Sequence, residues 1–144
     1  MSDLKQLDIE FGQAICYSGY REGQSPVDGI YPSYDQVVED LKLLEPNWRY
    51  LRIYDSSKHA ELVLEAVRNE KLNFQVMLGA DVEAEMSNPD CPWGADYTPE
   101  FLEKNKRAND QQIECLIKLA NQYPDVVFSV SVGNEATVDW GDRQ

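Results

Sequence analysis

The sequence predicts an α/β fold in which four parallel strands alternate with three helices in the order βαβαβαβ. Short runs rich in β-branched and aromatic residues alternate with segments whose apolar residues recur at helical spacing. No polar linker and no repeat of fixed period interrupts this alternation. Residues 1–144 are therefore expected to form a single domain, and an apolar content of 42% is enough for one core.

The predicted strands are residues 14–17, 50–54, 74–79 and 126–132. A capping box that begins at Ser33 starts the first helix, Ser56 or Ser57 caps the second, and Thr98 caps the third. The apolar stripes expected to be buried are Val37, Leu41 and Leu44 in the first helix, Leu62, Val63, Ala66 and Val67 in the second, and Leu102, Ile113, Leu116, Ile117 and Ala120 in the third.

Charge and cysteine usage narrow the classes of partner. The chain has 26 acidic and 13 basic side chains, and its net charge of -13 repels nucleic acid and anionic membrane surfaces, so a neutral ligand is favoured. The N-terminal residues show neither a signal peptide nor a membrane span. Because Cys16, Cys91 and Cys115 are odd in number and widely spaced, we expect reduced thiols and a cytoplasmic location.

No metal-ligand spacing is present, and no cofactor is expected. The acidic residues of the loop before the third helix are expected to be solvated, and cation binding by them is the less favoured alternative. These acidic residues are Asp81, Glu83, Glu85 and Asp90. His59, at the start of the second helix, is also expected to be solvated or to act in capping.

The most informative segment is 130–136, where an apolar strand runs directly into Gly133, Asn134 and Glu135. This arrangement delivers a carboxylate to the open end of a parallel sheet, where catalytic groups are expected. Glu135 is therefore the first candidate for chemistry. The alternative is an acid that complements the dipole of a following helix, and Asn134 has the alternative of a turn-forming residue.

Four motifs, in the same order along the chain, resemble the glycoside hydrolases of family 17. They are residues 16–26 with 31–33, residues 51–55, residues 76–79 and residues 133–135. The family comprises β-1,3-glucanases and related glucosidases or transglycosylases built on a (β/α)8 barrel. The resemblance extends from about Ala14 to Trp140, and it implies that the four strands form half of such a TIM barrel.

The resemblance also implies roles at the strand ends. Glu135 matches the family's general acid/base, and Asn134 is expected to orient the 2-hydroxyl of the sugar. Arg52 and Tyr54 share one side of their strand by period-two alternation and are expected to bind substrate, although Arg52 has the alternative of an ion pair that only joins strands. The aromatic candidates for stacking on sugar rings, which have a place in the core as their alternative, are Tyr17, Trp93 and Trp140.

One catalytic group of the family has no counterpart among the four predicted strands, because the nucleophilic glutamate lies on the seventh. Retaining glycosidases hold two carboxyl groups ~5 to 5.5 Å apart and inverting ones ~6.5 to 9.5 Å apart, so Glu135 is half of either pair. We therefore expect a β-1,3-glucan-active hydrolase that is inactive or weakly active alone, unless a partner or a missing segment supplies the second carboxylate. The alternative is a non-catalytic carbohydrate-binding half-barrel or a truncated relic.

An open half-barrel has two bare sheet edges and is expected to expose an apolar inner face. Such surfaces need a partner, and two half-barrels can close each other, so a homodimer or a larger homo-oligomer is expected. In a dimer of this kind the two Glu135 side chains would lie across the barrel mouth from each other. The expected ligand is β-glucan or another neutral oligosaccharide, and the chain is consistent both with a natural product and with a portion of a longer enzyme.

Overall fold

The computed structural model describes residues 9–91 and 96–136, in which four strands and three helices occur in the predicted order. The strands form one sheet with the neighbour order β1-β2-β3-β4, and every pairing is parallel. This arrangement confirms the α/β prediction and is the one that half of a (β/α)8 barrel has. The elements are β1 (Ala14–Cys16), α1 (Tyr34–Leu44), β2 (Tyr50–Ile53), α2 (Lys58–Asn69), β3 (Gln75–Ala80), α3 (Pro99–Gln122) and β4 (Val127–Val132).

The predicted caps are present in the structure. Ser33 and Gln36 form a reciprocal capping box at the start of α1, in which each side chain accepts a hydrogen bond from the other residue's backbone N–H. Ser57 caps α2, and Thr98 caps α3. These bonds satisfy N–H groups that the first turn of a helix leaves without a partner, and they therefore set where each helix begins.

One face of the sheet packs against the three helices and forms the core. The stripes of α1 and α2 are confirmed in most positions, but Leu62 is only partly buried and Leu64 is completely buried. On α3 the prediction of Ile117 was wrong, because that side chain is exposed while Leu119 is buried. Leu119 lies three residues from the buried Leu116 and hence on the same side of the helix.

The other face of the sheet is the one that a barrel would enclose. Arg52 pairs in register with Cys16 on one side and with Met77 on the other, so the three side chains lie in one row. A bulge in the pairing of β3 with β4 leaves Phe128 as the extra residue, and its ring lies 5.2 Å from that of Tyr50. These residues help to line a cavity of about 310 Å³. The inner face is therefore partly polar, not uniformly apolar as expected.

Helix α3 spans 24 residues and changes character along its buried side. Asn105 and Asn109 are buried in its first half, whereas Leu116 and Leu119 are buried in its second half. Amides are unusual at buried helical positions, because burial without hydrogen bonds is costly. None of the described helices combines the length and the apolar character that crossing a bilayer requires.

The outer face of β4 is uncovered in the described part of the chain. Leu78 of β3 is fully buried, but Val130, its partner in the register, is 51% exposed. Val132, which pairs with Ala80, is 58% exposed. The two valines form an apolar strip beside the open edge of the sheet, and we call this strip the β4 strip.

The difference between Leu78 and Val130 predicts a difference in stability. Leu78→Ala should lower the free energy of unfolding by about 2–5 kcal/mol, because it leaves a cavity in the core. Val130→Ala should change it by no more than about 0.5 kcal/mol, as expected for an exposed side chain. Urea denaturation of both variants at low protein concentration measures the two values. A large loss for Val130→Ala would mean that the β4 strip is covered in solution.

Candidate functional site

Four predicted site residues meet at the carboxyl ends of β2 and β4. Arg52 Nη2 donates a hydrogen bond of 3.1 Å to Asn134 Oδ1, and the guanidinium carbon lies 4.6 Å from the centre of the Tyr54 ring. The pKa of Tyr54 is raised, chiefly by a hydrogen bond with the Cys16 thiol and to a smaller extent by the negative charge of Glu135. Arg52, Tyr54, Asn134 and Glu135 are called the strand-end group below.

Arg52 reaches this position because β2 alternates between two environments. Leu51 and Ile53 are buried against the helices, so the side chains of Arg52 and Tyr54 lie on the opposite face. The period-two prediction for these two residues is thereby confirmed. Since Asn134 Oδ1 accepts from Arg52, the orientation of the amide is set and the Nδ2 amino group is its donor.

The turn that carries Glu135 has an unusual backbone. Gly133 has a φ of +77° and Glu135 a φ of +54°, both in the left-handed region. A side chain at Gly133 would lie 2.8 Å from Ala136 Cβ and 3.3 Å from Val82 Cγ2, so glycine is needed there. Glu135 has a Cβ and is strained by about 1–2 kcal/mol in this conformation. Strain of this kind clusters at functional sites, and here it presents an exposed carboxylate at the rim of the sheet.

A second glycine allows β3 to approach the end of β2. A Cβ at Gly79 would collide with the carbonyl oxygens of Ile53 and Tyr54. The missing side chain therefore lets the backbone of Tyr54 lie directly beside β3. Tyr54 is positioned by this close approach at its backbone and by the Arg52 guanidinium against its ring.

Tyr17 does not join the strand-end group. Its side chain is buried on the helix side of the sheet, where the hydroxyl donates to Asp40 Oδ2 at 3.0 Å. Burial, and then the charge of Asp40, raise the pKa of Tyr17 well above its usual range. Tyr17 shares its side of the chain with Ile15, which packs against the core, so Cys16 is the residue of β1 that faces the site. Trp93 and Trp140 lie outside the described residues.

His59 is buried, contrary to the expectation that it is solvated or acts in capping. Its ring lies 5.5 Å from that of Tyr17 and 5.1 Å from that of Tyr20, and its Nε2 accepts a hydrogen bond of 3.1 Å from Gly19 N. Because Nε2 accepts, the neutral ring carries its proton on Nδ1. Burial lowers the pKa of His59, and the charges of Asp55 and Asp40 only partly oppose this. The imidazole therefore fastens the loop after β1 to α2 in its neutral form.

Three amide side chains of α3 were missed by the sequence prediction, and we call Asn105, Asn109 and Gln112 the amide row. They hold the loops after β3 and β2 by hydrogen bonds to the backbone. The sequence does contain a pattern that could have identified them, because the amide row continues the helical spacing of Leu116 and Leu119 back toward the start of α3. Polar residues in register with a buried stripe indicate an interior polar contact.

The buried imidazole predicts a pH dependence of stability. The pKa of His59 in the folded chain lies below the unfolded value of about 6.5, so its contribution is complete above pH ~6.5 and is lost as the pH falls below that value. The slope from this group is at most about 1.4 kcal/mol per pH unit. Urea unfolding between pH 7.5 and 5 measures it, and His59→Gln should flatten the slope because the sequence has one histidine. An unchanged slope in His59→Gln would contradict the assignment.

The described fold is similar to that of a solved structure, an endo-laminarinase from Formosa Hel1_33_131. The match has a TM-score of 0.68 at 30% sequence identity, and it covers 90% of this chain and 32% of that chain. This chain thus spans about a third of the laminarinase. No family model and no curated protein matches the sequence. The likeness supports a glycosidase-like fold for this chain, and its assignment to family 17 stays a prediction.

Proposed function

We propose that this chain forms the acid/base half of the active site of a family 17 glycoside hydrolase that acts on β-1,3-glucan. The observation that carries the proposal is the strand-end group, in which Arg52 and Asn134 are hydrogen-bonded across β3 beside Tyr54 and Glu135. Its location at the carboxyl ends of parallel strands is where (β/α)8 enzymes build their active sites. Similarity to an endo-laminarinase supports β-1,3-glucan as the substrate class.

Glu135 is the proposed general acid/base. Its exposed carboxyl group protonates the glycosidic oxygen of the leaving sugar and afterwards removes a proton from the attacking water. The left-handed backbone at Glu135 projects this group from the end of β4. No other described residue of the strand-end group carries a carboxyl group, so the acid role falls to Glu135 within that group.

Asn134 is the proposed contact for the 2-hydroxyl of the sugar. Arg52 occupies its Oδ1, so Nδ2 is the atom that faces a ligand oxygen. Hydrogen bonds to the 2-hydroxyl strengthen in the transition state of glycoside hydrolysis, where they contribute several kcal/mol in well-studied enzymes. Tyr54 adds a partly exposed ring, backed by the Arg52 guanidinium, against which an apolar sugar face can pack.

The net charge supports a neutral glycan. A chain with a formal charge of -13 repels anionic polysaccharides over the Debye length of the solution, whereas β-glucan carries no charge. Binding of β-glucan should therefore depend little on ionic strength. The same argument disfavours nucleic acid as a partner.

Hydrolysis needs a second carboxyl group, and the family resemblance places it on a seventh strand, whereas the described residues form four strands. We infer that another subunit or a further segment supplies it. The 144-residue chain by itself is then expected to bind laminarin and to hydrolyse it weakly or not at all. A non-catalytic carbohydrate-binding role is the second candidate, and it is favoured by the single carboxylate of the strand-end group.

Assembly into a homodimer or a larger homo-oligomer is the simplest way for copies of this chain to cover their open faces. Its support is the exposed β4 strip and the cavity on the inner face of the sheet. In a closed pair the two Glu135 residues face each other across the barrel mouth, beyond the ~5 to 5.5 Å that a retaining mechanism requires. Such a dimer binds glucan without efficient cleavage.

Binding and hydrolysis of laminarin test the proposal. The purified chain should bind laminarin in isothermal titration calorimetry, and Asn134→Ala should weaken binding about tenfold, equivalent to ~1.4 kcal/mol, because it removes a ligand contact and leaves Arg52 without its acceptor. Reducing-sugar release should be the same for the unaltered chain and Glu135→Gln. Light scattering should show a dimer or a larger assembly.

The matched control is Glu114→Gln, which removes an exposed carboxylate from α3 and should change neither binding nor hydrolysis. Robust hydrolysis that Glu135→Gln abolishes would overturn the expected inactivity and support an active site shared between subunits. No binding of laminarin at millimolar concentration would overturn the carbohydrate proposal. A stable monomer would overturn the assembly.

A further inference from the structure

The amide row occupies a position in α3 where apolar residues would be expected. Asn105 and Asn109 are only 7% and 4% exposed, and they lie on the same side of the helix as Leu116 and Leu119. On folding, an amide exchanges hydrogen bonds to water for hydrogen bonds within the protein, and this exchange contributes little net stability. A buried apolar side chain contributes more, through the hydrophobic effect. Amides at these positions thus favour a specific geometry over maximal stability.

Asn109 holds one residue of the loop after β3 by both of its backbone groups. Its Oδ1 accepts from Glu83 N at 2.8 Å, and its Nδ2 donates to Glu83 O at 2.9 Å and to Glu85 Oε1 at 2.9 Å. Asn105 Nδ2 donates to Ala84 O at 2.8 Å. A carboxamide offers a donor and an acceptor in one plane, which an ionised carboxylate, an acceptor alone, does not. Both backbone groups of Glu83 are therefore paired, as they would be in a strand.

The fixed loop supports the turn that carries Glu135. Val82 precedes Glu83 and approaches Gly133 so closely that a Cβ on that glycine would lie 3.3 Å from Val82 Cγ2. Gly133 N also donates to Ala80 O at 2.9 Å, which extends the pairing of β3 with β4 up to the turn. A displacement of Glu83 would move Val82 and remove the surface on which Gly133 rests.

Gln112 acts in the same way on the loop after β2. Ser56 N donates to Gln112 Oε1 at 3.1 Å, and Ser56 Oγ lies 2.7 Å from Gln112 O and 2.9 Å from Gln112 Oε1. Ser56 follows Tyr54 by two residues, so the loop that leaves the strand-end group is attached to the same helix. One rigid element thus holds both loops that flank the group.

We propose that the amide row is a positioning device, which sets the distance between Tyr54 at the end of β2 and the turn with Asn134 and Glu135 at the end of β4. Helix α3 acts as the common support, and the amides transmit its position to the two loops. The consequence for ligand binding rests on the proposed function. The consequence for the geometry of the turn does not.

Nuclear magnetic resonance and calorimetry test the proposal on the full 144-residue chain. Asn109→Ala should shift the amide resonances of Gly133, Asn134 and Glu135, speed hydrogen exchange at Gly133 N by about tenfold, and weaken laminarihexaose binding by about tenfold. Asn121→Ala is the matched control, because Asn121 lies on the same helix and, among the described residues, its Nδ2 donates within that helix, to Ile117 O. It should leave the three resonances and the affinity unchanged.

Asn109→Asp adds a readout that depends on pH. Its carboxylate can accept from Glu83 N, but it cannot donate to Glu83 O and it faces the Glu85 carboxylate. Protonation restores a donor, so the affinity relative to the unaltered chain should recover as the pH is lowered from 7 toward about 4, near the usual range of carboxyl groups. Should Asn109→Ala not fold, Asn105→Ala removes one bond and carries the same readouts.

The outcomes separate the two proposals. Unchanged resonances of residues 133–135 in a folded Asn109→Ala chain of lower melting temperature would overturn the positioning role and leave a purely structural one. An unaltered chain that does not bind laminarihexaose would overturn the proposed function, and the resonances would still decide the positioning role. The positioning role would also be overturned if the affinity of Asn109→Asp, relative to that of the unaltered chain, did not change with pH.

Discussion

The rest of the structure depends on the alternation of side chains along β2. Burial of Leu51 and Ile53 against the helices stabilises the fold by about 1.5–3 kcal/mol for each side chain. A shift of the β2 register by one residue would expose both side chains and would place the charged Arg52 in the core. The free-energy cost of an unpaired buried charge is far larger than the stabilisation from burying either apolar side chain. The core therefore holds Arg52 and Tyr54 on the inner face of the sheet, and no ligand is needed for this.

The bond from Arg52 to Asn134 connects strands that are not neighbours. β3 lies between β2 and β4, so the Arg52 side chain must cross the inner face of β3, where Met77 and Gly79 lie. The glycine also brings the backbone of Tyr54 close to β3. The strand-end group is thus a product of three strands, and Gly79 in the middle strand is as necessary to it as the polar residues of the outer two.

The order of elements, the caps and the shared side of Arg52 and Tyr54 were predictable, because each depends on local pattern and propensity. Tyr17 was not placed correctly, since the alternation of a three-residue strand is too short to fix its side without knowing where the helices pack. His59 was missed because the loop with Gly19, forty residues earlier, folds over it. Asn109 was missed because polar residues in a stripe are normally counted as exposed.

The turn with Glu135 is held by contacts that the described residues supply themselves. The bond from Gly133 N to Ala80 O, the approach of Val82 and the bond from Arg52 to Asn134 each act within one copy of the chain. The backbone position of the turn and the orientation of Asn134 are therefore intrinsic to this half-barrel. Under the proposed function, the separation between Glu135 and a second carboxyl group, which selects retention or inversion, depends instead on how the other half of the barrel is joined to it. The geometry of the strand-end group and the position of a second carboxyl group are thus fixed by different contacts.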